Sequence, residues 1–193
     1  MSALALSVAL LWVLMIATIV VMLALARQIG ILFERIAPIG ALSIDQGPRA
    51  GEPAPSMLLP SLDGDLVQIG GSNERSTLIF FLSPSCPVCR KLAPIVKSIA
   101  RGRSIRLVLA SDGDEPRQAQ YRRDLALTQF SYVLSRELGL AFRVGKLPYA
   151  VLLDQTGRVV AKGLTNSREQ LESLFVAQEL GVTSIQQYLR QRG

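Results

Sequence analysis

Residues 80–100 read FFLSPSCPVCRKLAPIVKSIA, and this stretch contains both cysteines of the 193-residue chain, Cys86 and Cys89. The short apolar run at positions 77–82, TLIFFL, is typical of a central strand that is covered on both faces. After the cysteines, apolar residues recur at intervals of three and four, which predicts a helix. These residues are Leu92, Ile95, Val96 and Ile99. Cys86 is therefore predicted to lie where this helix begins.

The composition excludes several uses of two cysteines. The chain contains no histidine, which excludes Ser-His-Asp triads, Cys-His hydrolases and haem ligation by histidine. Two cysteines cannot complete a structural zinc site within one chain, although a site shared across a dimer stays open. A purely structural disulfide is disfavoured because so short a loop restrains little of the unfolded chain. If the two cysteines were only buried core residues, both would be expected at apolar positions inside the helix, whereas Cys86 precedes it. We therefore interpret the cysteines as a redox pair, and we expect no metal or cofactor.

The two cysteines are predicted to have different roles. At a helix N-terminus the free N–H groups and the macrodipole stabilise a thiolate, so Cys86 is expected to be the nucleophile with a lowered pKa. Cys89, one turn later, is then placed to attack a mixed disulfide and release the partner. Pro87 and Val88 are supporting residues between them, and Pro87 fits a first helical position because it has no N–H to leave unpaired.

The N-terminal segment is predicted to be a membrane anchor. Residues 3–26 contain no charged side chain. A helix of this length rises about 36 Å, enough to cross a hydrocarbon core of about 30 Å. The Ala-Leu-Ala at 24–26 resembles a signal-peptide cleavage site, but the apolar run is too long and its start lacks a basic residue. A buried core helix is disfavoured because the run has no polar face. We therefore expect residues 3–26 to contact membrane lipid.

The rest of the chain divides into a connector and one domain. Residues 27–50 are the predicted connector, and its first part is consistent with either an interfacial helix or the frayed end of the anchor. Glycines and prolines then interrupt regular structure, and residues 51–193 are predicted to form one compact α/β domain with helices on both faces. The predicted strands are 58–59, 66–69, 77–82, 105–110, 130–134, 149–153 and 159–162, and helices are expected to begin near residues 86, 115, 135, 167 and 183.

These motifs resemble a known superfamily. A strand followed by Cys-Pro-Val-Cys and a helix, with Pro94 inside that helix, is similar to the thioredoxin-like superfamily. That fold has a central mixed sheet with helices on both faces. Leu147-Pro148, just before a predicted strand, matches the superfamily's cis-proline loop, which implies that these two residues bind substrate. Within the superfamily the chain most resembles the MauD family of methylamine utilization proteins, in three segments: 24–42 (ALARQIGILFERIAPIGAL), 78–89 (LIFFLSPSCPVC) and 144–154 (VGKLPYAVLLD).

The resemblance implies a function. It implies a membrane-tethered thiol-disulfide oxidoreductase or isomerase that is needed to mature methylamine dehydrogenase. The small (beta) subunit of that enzyme is dense in disulfides and carries a quinone made from tryptophan. The implied partners are therefore protein thiols and disulfides, chiefly those of this subunit, together with a redox partner that the resemblance does not identify.

One departure from the superfamily concerns the proton of Cys89. Many thioredoxins have a buried acid six residues before the first cysteine, and Phe80 occupies that position here. The proton must therefore leave through water or another group, and oxidation or isomerisation of a client fits better than general reduction.

Three other functions are less consistent with the residues. A thiol peroxidase of the peroxiredoxin type would have proline and threonine where this chain has Ile79 and Ser83. A non-catalytic chaperone or scaffold for a periplasmic partner is also consistent with the sequence. Such a protein would bind its partner through the apolar surface at the cis-proline loop and would not use the thiols. Nucleic-acid binding is disfavoured: the net charge is +6, but the basic residues are spread along the chain without interleaved aromatic residues.

Two arguments about location disagree. Arg27 and Arg35 follow the anchor, and the positive-inside rule taken alone would place the domain in the cytoplasm. A tethered redox pair, however, is most useful where protein disulfides form and persist, which in bacteria is the periplasm. Since long domains translocate largely regardless of charge, we expect a single-pass protein of the bacterial inner membrane with its domain in the periplasm.

Overall fold

The structure, a computed structural model, describes residues 2–35 and 47–180. It separates into two compact units, Met1–Ile44 and Asp45–Gly193. Residues 36–46 of the predicted connector and the helix expected near residue 183 lie outside the described residues. The division of the chain into anchor, connector and domain stays a prediction.

The described residues of the first unit form one helix, α1, which runs from Ser2 to Arg35. Its segment Ala5–Leu23 has a mean hydropathy of 2.8, and its side chains are exposed rather than packed against protein. This segment is long and apolar enough to cross a membrane, which makes it a candidate span. The helix continues through Arg35 without a break, so the predicted anchor and the first residues of the predicted connector form one helix.

The second unit, over its described residues 47–180, is an α/β domain built on two sheets. Its elements are β1 (Met57–Pro60), β2 (Leu66–Ile69), β3 (Thr77–Phe81), α2 (Pro87–Gly102), β4 (Arg106–Ser111), α3 (Glu115–Asp124), β5 (Ser131–Leu134), α4 (Arg136–Ala141), β6 (Tyr149–Leu153), β7 (Val159–Leu164) and α5 (Arg168–Leu180). The predicted strands and the helices expected near residues 86, 115, 135 and 167 are all present.

The main sheet is mixed, and β3 lies at its centre. The strand order is β5-β4-β3-β6-β7. β3 is parallel to β4 and antiparallel to β6, so that Phe80 pairs with Leu109 on one side and Ala150 on the other. All five residues of β3 are buried, which explains why the sequence there is apolar without alternation. β1 and β2 form a separate antiparallel hairpin.

Both faces of the main sheet are covered. Leu78 and Phe80 of β3 point into one apolar cluster with residues of α2, α3 and α5. Ile79 and Phe81 point into a second cluster with residues of the β1-β2 hairpin and α4. The predicted class, a thioredoxin-like α/β fold with helices on both faces, is confirmed.

An ion pair between a buried arginine and a half-exposed aspartate fixes the hairpin to the domain. Arg122 of α3 is 4% exposed, and it donates two hydrogen bonds, of 2.7 and 2.6 Å, to the carboxylate of Asp63 in the turn between β1 and β2. The same guanidinium donates to the carbonyl oxygens of Thr128 and Phe130. Such a forked geometry suits arginine. The bonds from Arg122 hold the pKa of the Asp63 carboxyl below its ordinary value of 3.8.

We expect Asp63→Asn to lower the free energy of unfolding by about 1 kcal/mol near neutral pH, because it removes the counter-charge of a buried guanidinium. The effect is modest because the Asp63 side chain is half exposed and solvent screens the pair. Since folding lowers this pKa, the carboxylate stabilises the domain above its ordinary pKa, and the stabilisation is lost as the pH falls through the folded value.

The measurement is denaturant unfolding of the full chain in detergent micelles, followed by circular dichroism across this pH range. Asp65→Asn is the matched control, because Asp65 is an exposed carboxylate in the same turn. A loss of stability that is equal in the two variants, or independent of pH, would contradict the assignment.

Candidate active site

Cys86 lies where the sequence predicted, at the start of α2. It is the N-cap residue of the helix, with extended backbone, and Pro87 follows as the first helical residue. The Cys86 Sγ accepts a hydrogen bond of 3.1 Å from the backbone N–H of Cys89. The sulfur therefore occupies the place that a serine or aspartate oxygen takes at other helix starts, where N–H groups lack partners within the helix.

The two cysteines form a disulfide, and their exposure differs. Their Cα atoms are 5.3 Å apart, and the structure contains no free cysteine among the described residues. Cys89 is fully buried within the cluster that contains Phe80 and Tyr121, whereas Cys86 is partly exposed beside it. A large reactant can therefore reach the sulfur of Cys86 and not that of Cys89.

The surroundings of Cys86 favour negative charge on its sulfur. The first turn of α2 contains no acidic side chain. Arg90 and Lys91 are both exposed directly after the pair, and the Arg90 guanidinium lies 5.4 Å from the centre of the Tyr121 ring. A helix N-terminus favours a thiolate, and Arg90 and Lys91 add positive charge to the same turn.

Leu147 and Pro148 lie at the same edge of the sheet as the loop that leads to Cys86. The bond between them is cis, as predicted. β6 starts directly afterwards at Tyr149, which pairs with Phe81 at the end of β3. Leu147 is 37% exposed and Pro148 is buried, and the Pro148 carbonyl accepts from the backbone N–H of Thr165. Their role as substrate-binding residues stays a prediction, as do the roles of Pro87 and Val88.

Sequence analysis missed a polar network at this edge. Ser111, the last residue of β4, donates from its hydroxyl to the Leu82 carbonyl at 2.9 Å. The Gln118 amide donates to the Asp112 carbonyl and accepts from the Tyr132 hydroxyl, both at 2.6 Å. Burial raises the pKa of Tyr132, so its hydroxyl stays protonated and remains a donor. The network holds the end of β4 against the loop that leads to Cys86.

The position that carries an acid in many thioredoxins is apolar here. Phe80 is fully buried in the same cluster as Cys89. Its ring therefore offers no oxygen to accept a proton from that thiol. Among the described residues, no group of three or more acidic, cysteine or histidine side chains could hold a metal ion.

Comparison with protein families and curated sequences gives consistent results. Residues 62–179 match the model of a thioredoxin-like domain. The chain is 50% identical over 183 residues to the methylamine utilization protein MauD of Paracoccus versutus, covering 95% of this chain and 93% of that protein. It is 48% identical to MauD of Methylorubrum extorquens, covering 95% of this chain and 90% of that one.

Solved structures show the same fold. StoA from Bacillus subtilis superposes with a TM-score of 0.54 at 21% identity, covering 63% of this chain and 96% of its own. A thioredoxin-like protein from Aeropyrum pernix gives a TM-score of 0.54 at 18% identity, covering 63% of this chain and 89% of its own. At these identities the likeness concerns the fold alone.

The exposure of the two sulfurs predicts how single-cysteine variants react. In the reduced protein, Cys89→Ser should keep a rapidly alkylated thiol whose pKa lies clearly below the free value of about 8.5, because Cys86 lies at a helix N-terminus. Cys86→Ser should leave a thiol that reacts slowly at any pH, because Cys89 is buried. The measurement is the alkylation rate of each full-length variant against pH. Equal rates, or a Cys86 pKa of 8.5 or higher, would contradict the assignment.

Proposed function

Because the chain belongs to the MauD family of thioredoxin-like proteins, we propose that it is a membrane-anchored protein-disulfide oxidoreductase or isomerase acting through Cys86 and Cys89. The observation that carries the proposal is the asymmetry of the pair. One sulfur is accessible at a helix N-terminus, and the other is buried one turn later. This arrangement suits exchange with a protein client, since only Cys86 can form the mixed disulfide.

Oxidation of a client proceeds in two exchanges. A client thiolate attacks the Cys86 sulfur, the Cys86–Cys89 bond breaks, and Cys89 leaves as a thiolate that takes up a proton. A second client thiolate then attacks the client sulfur of the mixed disulfide, and Cys86 leaves as a thiolate. The client loses two electrons and gains a disulfide, while the pair becomes two thiols. A separate redox partner must reoxidise the pair before the next cycle.

Isomerisation uses the reduced pair and places fewer demands on Cys89. The Cys86 thiolate attacks a client disulfide, and a different client thiol later displaces Cys86, so no net electrons are transferred. Cys89 needs to lose its proton only when it releases a trapped client. The apolar environment of Cys89, with Phe80 in the same cluster, therefore supports isomerisation more than general reduction of clients.

We place this activity in methylamine metabolism, with the small subunit of methylamine dehydrogenase as the client. The support is the identity of 42–50% over 94–95% of the chain with five proteins named for methylamine utilization. A client with many disulfides needs both formation and correction of its pairings, which matches the chemistry of an exposed Cys86. The domain then lies in the periplasm, tethered to the inner membrane by α1.

Trapping in cells tests the client and the location together. Cys89→Ser should accumulate a mixed disulfide between Cys86 and the small subunit, because the resolving thiol is absent. Cells that produce methylamine dehydrogenase are quenched with acid, and the adducts are identified by mass spectrometry. In spheroplasts with an intact inner membrane, a membrane-impermeant alkylating reagent should label the remaining free Cys86.

The variant lacking both cysteines is the matched control and should trap nothing. An adduct with other proteins only would contradict the proposed client, and protection of Cys86 from the impermeant reagent would contradict the periplasmic location. If the variant lacking both cysteines still supports maturation, the chain acts as a scaffold instead.

A further inference from the structure

Tyr121 of α3 has a buried hydroxyl that no hydrogen bond uses. The side chain is 2% exposed, and among the described residues its oxygen has no hydrogen-bond partner. Nearly all buried polar groups in proteins are paired, because an unpaired one destabilises the fold. Tyr132, in the same apolar cluster, shows the usual arrangement, since its hydroxyl donates to Gln118 at 2.6 Å. The unpaired hydroxyl of Tyr121 therefore points to a role other than stability.

Tyr121 lies beside the start of α2, where the two cysteines are. It belongs to the apolar cluster that contains Cys89, and Cys86 packs against that cluster. The guanidinium of Arg90, the residue after Cys89, lies 5.4 Å from the centre of the Tyr121 ring. This cation–π contact joins α3 to the first turn of α2. Tyr121 is thereby held next to the turn that contains Cys89.

The Tyr121 hydroxyl is a hydrogen-bond donor near neutral pH. Burial raises the pKa of Tyr121, and the positive charge of Arg90 offsets part of that rise. Burial also raises the pKa of Tyr132, while a hydrogen bond with Ser111 opposes the rise and the charges of Tyr121 and Arg122 act in opposite directions. Both hydroxyls therefore keep their protons. Of the two, Tyr121 is the one whose proton has no acceptor in the part of the chain that the structure describes.

The oxidation state of the cysteines explains why this donor is unpaired. Cys86 and Cys89 form a disulfide in the structure, and an uncharged sulfur accepts hydrogen bonds only weakly. When a client thiolate opens the disulfide, Cys89 becomes a thiolate inside an apolar cluster, which is costly unless a donor stabilises it. Phe80 offers no such donor. Tyr121 contributes one to the same cluster.

We infer that the Tyr121 hydroxyl donates a hydrogen bond to the Cys89 sulfur once the disulfide opens, and that Arg90 strengthens this donor by lying against the ring. The inference rests on the proposed function and assigns a group that stabilises the Cys89 thiolate. A stabilised thiolate leaves more readily during client oxidation, and it is more abundant when Cys89 resolves a mixed disulfide. Tyr121 keeps its own proton throughout, so the proton that Cys89 finally takes up comes from water.

A two-step thiol assay reports on the two cysteines separately. The reduced full chain in detergent micelles is mixed in a stopped-flow instrument with one equivalent of the symmetric disulfide of thionitrobenzoate. The Cys86 thiolate attacks this disulfide, forms a mixed disulfide and releases one thionitrobenzoate. The Cys89 thiolate then attacks the Cys86 sulfur, forms the Cys86–Cys89 disulfide and releases the second. The reagent gains the two electrons that the pair loses, and the pH midpoint of the second release measures the deprotonation of Cys89.

Tyr121→Phe should raise this midpoint by about one pH unit and slow the second release about tenfold near neutral pH, because a hydrogen bond to a charged group is lost. The first release, which reports on Cys86, should not change. The same variant should not lower the stability of the oxidised protein against denaturant, because the hydroxyl that it removes is unpaired there.

Tyr132→Phe is the matched control, because it removes a buried hydroxyl of the same cluster that is already bonded to Gln118. It should lower the free energy of unfolding and leave the midpoint of the second release where it is. Arg90→Gln should raise the midpoint, and should raise it less in the Tyr121→Phe background, because part of its effect passes through that hydroxyl. Equal shifts in the two backgrounds would overturn the role given to Arg90.

The outcomes separate this inference from the proposed function. If Tyr121→Phe shifts the midpoint no more than Tyr132→Phe does, the hydrogen bond to Cys89 is overturned while the redox function stands. If the first release is followed by no second release in the unsubstituted protein, Cys89 does not resolve a mixed disulfide at Cys86, and the proposed function fails as well.

Discussion

The burial of β3 is the constraint on which the candidate site depends. This strand is paired on both sides and covered on both faces, and four of its five buried residues are accordingly apolar. Its antiparallel pairing with β6 brings the end of one strand and the start of the other to a single edge of the sheet. Cys86 follows the first strand and Pro148 precedes the second, so the same pairing positions both loops. A substitution that disrupts β3 should therefore disturb the thiols and the cis-proline loop together.

The chemistry of the pair follows from its position on α2. The Cys86 sulfur, at the N-cap, accepts a hydrogen bond from a backbone N–H and lies at the positive end of the helix dipole. The Cys89 sulfur, one turn later, belongs to the apolar cluster. Cys86 is therefore both the more reactive and the more accessible of the two cysteines. Cys89 is buried, so its sulfur reacts mainly with Cys86. The apolar ring of Phe80 leaves proton transfer at Cys89 to water or to another group.

Much of this arrangement could be predicted from the sequence, because it depends on local patterns. The apolar run before Cys86, the helical spacing after it and the turn at Asp63-Gly64 each indicate one element within a few residues. The ion pair between Asp63 and Arg122 could not be found in this way, since its members are far apart in sequence and look like ordinary surface charges.

The central claim is that Cys86 and Cys89 exchange disulfides with the small subunit of methylamine dehydrogenase, and a reconstituted transfer tests it most directly. Oxidised full-length protein in detergent micelles is mixed with the reduced subunit, and the disulfides of both proteins are counted by mass spectrometry over time. The account predicts that one Cys86–Cys89 disulfide disappears for each disulfide that the subunit gains, with a transient adduct at Cys86. A subunit that binds while its thiols and the Cys86–Cys89 disulfide stay unchanged would contradict the account.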